Sequence, residues 1–224
     1  MPRTTNTNGS RKPGRPKGAP DLRSCILDKA ELLFAEHGFA GTKLRDIASV
    51  AGVNQALISY YFGTKQELFD AVFRRRGKEI SGARHVLLDE LLARDTIPTV
   101  SELVRCYLKP QWDMKYHGKN GAAFVRLQAR LHSESEEHAL RLRREVYDVS
   151  VKRYIDALDD ILPDIPREVI SMRMAFLVGT YMFMLNDLGR LNDLTDGQIG
   201  TVGKDDMLAH LDMFLTAGLM ADLR

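Results

Sequence analysis

Cysteine is almost absent from this chain. Cys25 and Cys106 have no CxxC partner and no metal-ligand spacing, which excludes a disulfide-stapled scaffold and a thiolate metal site. Two distant thiols fit a reducing cytoplasm, each read as a small buried hydrophobe. Long apolar runs are lacking too. The longest uncharged apolar stretch, Met174 to Asn186, falls short of a bilayer span and is bounded by Arg173 and Asp187. No apolar stretch follows the start, so no secretory signal is expected, and the glycosylation pattern at Asn8–Ser10 has no meaning without secretion. Nor is there an excess of one charge. The 32 Lys+Arg face 30 Asp+Glu, a net of +2, which as a total argues against a nucleic-acid partner. What is present looks ordinary: 44% hydrophobic and 28% charged residues over 224 positions describe a globular protein of one large domain or two modest ones. The expected location is the cytoplasm.

The near-zero charge conceals a division. Residues 1–80 carry 14 basic and 8 acidic side chains, a net of +6, whereas 81–224 carry 18 and 22, a net of −4. A basic front and an acidic back point to two jobs on one chain. Residues 1–20 hold five basic residues among Gly, Pro, Thr and Asn, with no acid, so a flexible arm is expected there. From Asp21 on, the pattern is helical. Ile26, Ala30, Leu33 and Phe34 form the core stripe of a first helix that Gly38 stops. A second helix covers about Leu44–Ala51 and ends at Gly52. Asn54 caps a third, Gln55–Tyr61, and Thr64 caps a fourth that runs from Lys65 to about Leu92. Pro98 is expected to open a helix that Pro110 breaks or kinks. Further helices are predicted at about Asn120–His132, Glu136–Leu162, Arg167–Arg190 and Asp205–Leu223. No window alternates with period two. The predicted fold is all-α, with about nine helices.

Residues 38–65 read GFAGTKLRDIASVAGVNQALISYYFGTK. Two short helices about a tight Ala-Gly-Val turn make a helix-turn-helix, whose second helix is short enough to lie in a DNA major groove. Ile47, Ala48, Ala51, Val53, Ile58 and Phe62 supply the small apolar contacts between the two. The other face of the second helix is polar, with Asn54, Gln55, Ser59, Tyr60 and the nearby Tyr61, and such amides and hydroxyls can bond to base edges or phosphates. The run from Ala30 to Phe73 resembles the N-terminal domain of TetR-type bacterial transcription regulators. The likeness includes Phe34 and Gly38 at the end of the first helix, the Ile-Ala of the second and the Ala-Gly-Val turn. It extends to the Tyr-Phe exit of the recognition helix and the Thr-Lys start of the fourth.

That resemblance implies base contacts by Arg45 and Gln55, and approach of Ala56 and Leu57 to the groove floor. It implies phosphate contacts by Thr42, Lys43, Asn54, Tyr60, Tyr61 and Lys65. Ser59 stands where the family usually has Tyr, Tyr61 where His is frequent, and Ala56 where Gly is common. The arm offers a second DNA signal. RKPGRPKG has the Gly-Arg-Pro core of an AT-hook, in which Arg15, flanked by Arg11 and Lys17, would enter the narrow minor groove of A·T-rich DNA.

For the C-terminal body, the resemblance implies that the last two long helices pack against those of a second copy as an intermolecular four-helix bundle. The predicted Arg167–Arg190 helix is apolar on more than one face, more than one intrachain core needs. The resemblance also implies a ligand cavity between dimer layer and head. Its candidate lining is Tyr107, Trp112, Met114, Tyr116, Phe124, Leu127, Phe176, Met182 and Met184, with Arg126, Arg130 and His132 able to answer an anionic group. The stretch GAAFVRLQARLHSES resembles regulators of fatty-acid and acyl-CoA metabolism within the family. Catalytic patterns fail. Gly197, Gly200 and Gly203–Lys204 have the wrong spacing for a phosphate loop, and Asp205 replaces the required Ser/Thr. His132 and His138 beside Glu134, Glu136 and Glu137 read as a charged helix start rather than a metal site. No enzyme and no cofactor are expected.

The sequence therefore predicts a flexible arm (1–20), a helix-turn-helix domain (21–66) and a helical ligand-binding and dimerisation domain (67–224). The expected function is a homodimeric repressor on a palindromic double-stranded DNA operator, released by a small-molecule effector of unknown identity. It would be nucleoid-associated when bound, with no membrane partner. A DNA-binding protein without an effector, acting in chromosome organisation or under a protein partner, is the alternative. An enzyme or carrier using the cavity is less favoured.

Overall fold

The computed structural model describes residues 21–131, 136–186 and 190–222, and among them every regular element is helical. The head consists of α1 (Leu22–Gly41), α2 (Leu44–Ala51) and α3 (Gln55–Phe62), and α4 (Lys65–Leu92) leads out of it. The body holds α5 (Val100–Tyr116), α6 (Gly118–Arg130), α7 (Glu136–Ile161), α8 (Arg167–Leu185), the short α9 (Arg190–Leu194) and α10 (Lys204–Met220). The arm with Arg11, Arg15 and Lys17 lies outside the described residues, as do His132 and Glu134.

Local chemistry sets the ends of these helices. The Asp21 side chain accepts from the Arg23 N–H at the start of α1. Gly38, at φ 72°, interrupts α1 in a conformation that L side chains rarely adopt, and one further turn reaches Gly41. The Thr42 hydroxyl ties that end down by reaching the carbonyls of Gly38 (2.7 Å) and Leu33 (3.1 Å). Gly52 closes α2 in the left-handed region and donates its N–H to Ala48 and Ser49 carbonyls. Asn54 caps α3 through Leu57 N–H, and Thr64 with Glu67 forms a reciprocal capping box on α4. Hydrogen bonds from the Thr64 backbone and then its hydroxyl hold the Glu67 carboxyl below its ordinary pKa.

The head core does not close on itself. Ile26, Ala30, Phe34, Ile47, Ile58, Phe62, Leu68 and Phe69 continue without a gap into Phe124 and Leu127 of α6 and Leu142 of α7. α6 lies along α1, and Asn120 Nδ2 donates to Asp28 O at 3.0 Å. A charged lock adds to this. Glu31, wholly buried, receives Arg75 Nη2 at 2.9 Å and Arg76 Nε at 2.8 Å from α4. Burial works against the Arg76 charge, yet its hydrogen bonds to Glu31 carry its pKa above the ordinary value.

A second core gathers α5, α7, α8 and α10 around Tyr107, Leu108, Tyr154, Leu158, Leu177, Tyr181, Leu211 and Leu215. Pro110 does not break α5 as its type leads one to expect, and the helix continues to Tyr116. Pro110 has no N–H to give to Cys106 O. The carbonyls beside that gap are held by side chains instead: Arg84 Nε donates to Tyr107 O (2.8 Å) and the Tyr181 hydroxyl to Leu108 O (2.6 Å).

α8 stops at Leu185, short of the predicted Arg190, and α9 raises the count of α-helices among the described residues to ten. By length and composition α8 is apolar enough to cross a membrane, more so than its short uncharged stretch implied. Its apolar residues divide between the core (Ile170, Met174, Leu177, Tyr181) and an outward stripe of Met172, Phe176 and Phe183. Met213 and Phe214 make a similar outward patch on α10.

Candidate nucleic-acid interface and ligand cavity

In α3 the two faces are sharply unlike. Ile58 and Phe62 are buried one turn apart, while Gln55, Ala56, Ser59 and Tyr60 face solvent. Tyr60 is 82% exposed, edge-on to the partly exposed Tyr61 with ring centroids 5.5 Å apart. Leu57 is half-buried and Asn54 uses its Oδ1 in the cap, so its amide N–H groups remain outward-facing donors. Lys43 and Arg45 are exposed at the start of α2, which has no side-chain cap. Such a start suits a phosphate, because its first amides point outward. Arg45 has only a loose 3.5 Å pair with Asp46 at the surface.

Two expected phosphate contacts sit differently. Thr42 is 2% exposed and gives its hydroxyl to α1 carbonyls, so its side chain is structural. Lys65 extends its ammonium to Phe39 O (2.9 Å) and Thr42 O (3.1 Å), over the Phe39 ring. That places a positive charge at the carbonyl end of α1, where it is favoured. Lys65 therefore ties the start of α4 to the end of α1.

A cavity of about 430 Å³ opens between α4, α5, α6, α7 and α8. Its walls are mostly apolar, with polar groups from Arg84, Gln111, Gln128, Arg143, Tyr147 and Asp148. Arg84 is 2% exposed and stacks its guanidinium over the Tyr107 ring, 3.6 Å from the centroid. Burial pushes the Tyr147 phenol pKa upward, so it stays a neutral hydroxyl. Size and lining are those of a small-molecule site.

Of the sequence-expected lining, the structure brings Tyr107 and Met182 to this cavity. Phe124, Leu127 and Met114 are absorbed in the head core, and Trp112 and Met184 belong to the body core. Tyr116 is part-exposed beside Trp112, and Phe176 lies on the outward stripe of α8. Arg126 and Arg130 face solvent. The polar lining was missed, although it left a trace. Arg84 falls midway on the Ile80–Arg84–Leu88 ladder, a charge on a core stripe, and Gln128 interrupts Phe124–Leu131 in the same way. Among the described residues, no group of three or more His, Cys, Asp or Glu is placed to hold a metal. His138 instead meets Gln66 (2.9 Å) and the buried Asp70 (3.2 Å).

Comparison with known proteins matches both halves. Residues 26–72 fit the family model described as bacterial regulatory proteins, tetR family, and residues 105–218 fit that of the tetracyclin repressor-like, C-terminal domain. An HTH-type transcriptional repressor of Mycobacterium tuberculosis is 40% identical over 70 residues, 31% of this chain and 37% of that protein. The matched segment thus spans little more than a third of that relative. Among solved structures, a TetR-like transcriptional regulator from Rhodococcus sp. RHA1 superposes with TM-score 0.66 at 16% identity, over 92% of this chain and 100% of that one. FadR from Bacillus subtilis, solved in complex with stearoyl-CoA, gives 0.60 at 18% identity, over 87% and 98%. At such identities the likeness is one of fold.

Proposed function

Because the chain belongs to the TetR family of bacterial regulators, we propose that it acts as a homodimeric repressor that a small-molecule effector releases from its operator. The observation that carries this reading is the exposed polar face of α3, with Gln55, Ser59 and Tyr60 displayed on a helix whose opposite face is locked in the head core. Gln55 and Arg45 are assigned to base edges, and Lys43, Asn54, Tyr60 and Tyr61 to phosphates, with Ala56 and Leu57 approaching thymine methyls. Arg11, Arg15 and Lys17 are assigned to the adjoining minor groove. The protein would then work in the cytoplasm, on the nucleoid when bound.

The outward stripes of α8 and α10 support the dimer. Phe176 and Phe214 are 63% and 67% exposed, and each would gain roughly 1.5–3 kcal/mol if fully buried against a second copy. Two heads related by a two-fold axis meet half-sites about one DNA turn, roughly 34–36 Å, or a multiple apart. The cavity supports the effector. It is walled partly by α4, the helix that leaves the head, so a ligand with different affinity for two α4 positions shifts the spacing of the heads. A cavity of about 430 Å³ lies within the size range of small-molecule sites.

The test is binding to DNA taken from the neighbourhood of the protein's own gene, followed by fluorescence anisotropy at fixed salt. Gln55→Ala and Tyr60→Ala should each weaken specific binding about 10- to 100-fold, as expected for lost base or phosphate contacts worth roughly 1–3 kcal/mol. The helical signal should be unchanged. Full-strength binding by both variants would overturn the assignment of α3.

A further inference from the structure

The polar groups of the cavity form one run of hydrogen bonds with a fixed direction. Arg84 Nη2 donates to Gln111 Oε1 (3.3 Å), Gln111 Nε2 donates to Gln128 Oε1 (2.6 Å), and Gln128 Nε2 donates to the Tyr147 hydroxyl oxygen. Arginine can only donate, so it sets the orientation of both amides. The run must then end on the Tyr147 hydroxyl proton, which has no acceptor among the described residues. At its other end, Arg84 gives Nε to Tyr107 O (2.8 Å) and lies flat on the Tyr107 ring. Among the described residues no ion pair includes Arg84, and its remaining N–H groups have no protein acceptor. The run thus offers a hydrogen-bond donor at each end.

A guanidinium 2% exposed and without a counter-charge is a costly thing to keep. On the cavity wall Arg143 and Asp148 are of opposite sign, and Arg84 adds a further positive charge. We propose that the effector is an organic acid. Its carboxylate is received by the free N–H groups of Arg84, whose planar fork matches a carboxylate and is held rigid by Tyr107. Its apolar body rests on Phe73, Leu131, Val151 and Val178, and a second acceptor atom takes the Tyr147 hydroxyl. This assignment rests on the reading of the cavity as the effector site, and it names the chemical class of the ligand.

The experiment uses the full-length dimer and matched pairs: octanoate, decanoate, 3-phenylpropanoate and 4-hydroxycinnamate, each against its primary amide. Binding is read by thermal shift and calorimetry. At least one acid should bind ten-fold or more tighter than its amide, a preference that Arg84→Gln reduces to near one. Tyr147→Phe should weaken 4-hydroxycinnamate several-fold while leaving its acid-to-amide ratio intact. Amides that bind as well as acids, or no acid binding at millimolar concentration, overturn the proposal. If Arg84→Gln fails to fold, Arg84→Lys decides, since it keeps the charge and loses the fork. A ratio unchanged in that variant overturns the proposal, and a reduced one supports it. Release of operator DNA is read separately. An acid that binds yet leaves DNA bound counts against the effector reading alone, whereas release by a neutral amide and by no acid counts against the acid alone.

Discussion

Gly77 and Gly82 lie on the same helix and should answer alanine in opposite directions. A Cβ at Gly77 would come 1.7 Å from Val146 Cγ1 and 3.0 Å from Val146 Cβ, where α4 meets α7, while a Cβ at Gly82 meets nothing within 4 Å. Within a helix, Gly→Ala gains about 0.8–1 kcal/mol from propensity alone. Gly82→Ala should therefore stabilise by about that amount. Gly77→Ala receives the same gain but forces a methyl into a β-branched neighbour that cannot swing aside, an overpacking cost of roughly 1–3 kcal/mol. The two variants should differ by about that cost, some 2–4 °C of Tm per kcal/mol in a chain of this size. Urea and thermal unfolding followed by helical dichroism, at one fixed protein concentration, measures the difference. Combining Gly77→Ala with Val146→Ala supplies the sign of the contact. The pair should lose less than the sum of the singles, with a coupling of about 1–3 kcal/mol. Strict additivity, or a Gly77→Ala variant as stable as Gly82→Ala, would refute the close approach of α4 and α7.

Three further outcomes follow from the same structure. Glu31→Gln removes the buried carboxylate that Arg75 and Arg76 share, but Asp28 (2.8 Å) and Glu79 (2.9 Å) still pair with them, so the cost in urea unfolding should be about 1.5–3 kcal/mol, that of lost hydrogen bonds to a charged group. Phe176→Asp with Phe214→Asp should yield monomers by analytical ultracentrifugation and abolish cooperative binding to a two-half-site operator, with the helical content retained. Glu67, Glu102 and Glu145 all have carboxyl pKa values below the ordinary one: the first two from the Thr64 and Thr99 caps, the third from its hydrogen bond to Arg74. Their stabilisation is full above the unfolded value of about 4.3 and is lost as pH falls through the lower folded values. Tm should accordingly be level near neutrality and drop below about pH 4, and Thr64→Ala should make that acid limb shallower.

Much of the fold was legible because helix ends are written in short-range chemistry. Asn54 and Thr64 cap where their types and spacing said they would, and Gly52 closes α2 in the one conformation that favours glycine. Periodicity likewise marked Ile26, Ala30 and Phe34 as core. The exposed face of α3 was readable for the same reason, since Gln55, Ser59 and Tyr60 share one side of a helix whose other side is apolar. Pro110 leaves α5 unbroken because the groups that hold the neighbouring carbonyls, Arg84 and Tyr181, come from distant helices. Lys65 was expected at a phosphate, yet the carbonyls that hold it belong to the end of α1, about 23 to 26 positions earlier. The cavity was hardest of all. Core and cavity wall draw on the same apolar residue types, and only the convergence of five helices decides which face an empty space. Polar residues interrupting core stripes, Arg84 and Gln128, were the better guide than aromatics and methionines.

The continuity of the head core with Phe124 and Leu127 bears on how such proteins can be rebuilt. A DNA-reading module grafted from another regulator at the junction before α4 would arrive with one wall missing, because α6 supplies it from far along the chain. Successful chimeras should have to carry matching α1 and α6 surfaces together, and the charges around Glu31 with them. Recombination points chosen from sequence order alone would cut through a single packed unit. The interchangeable piece is a three-dimensional one, assembled from two separate stretches of chain.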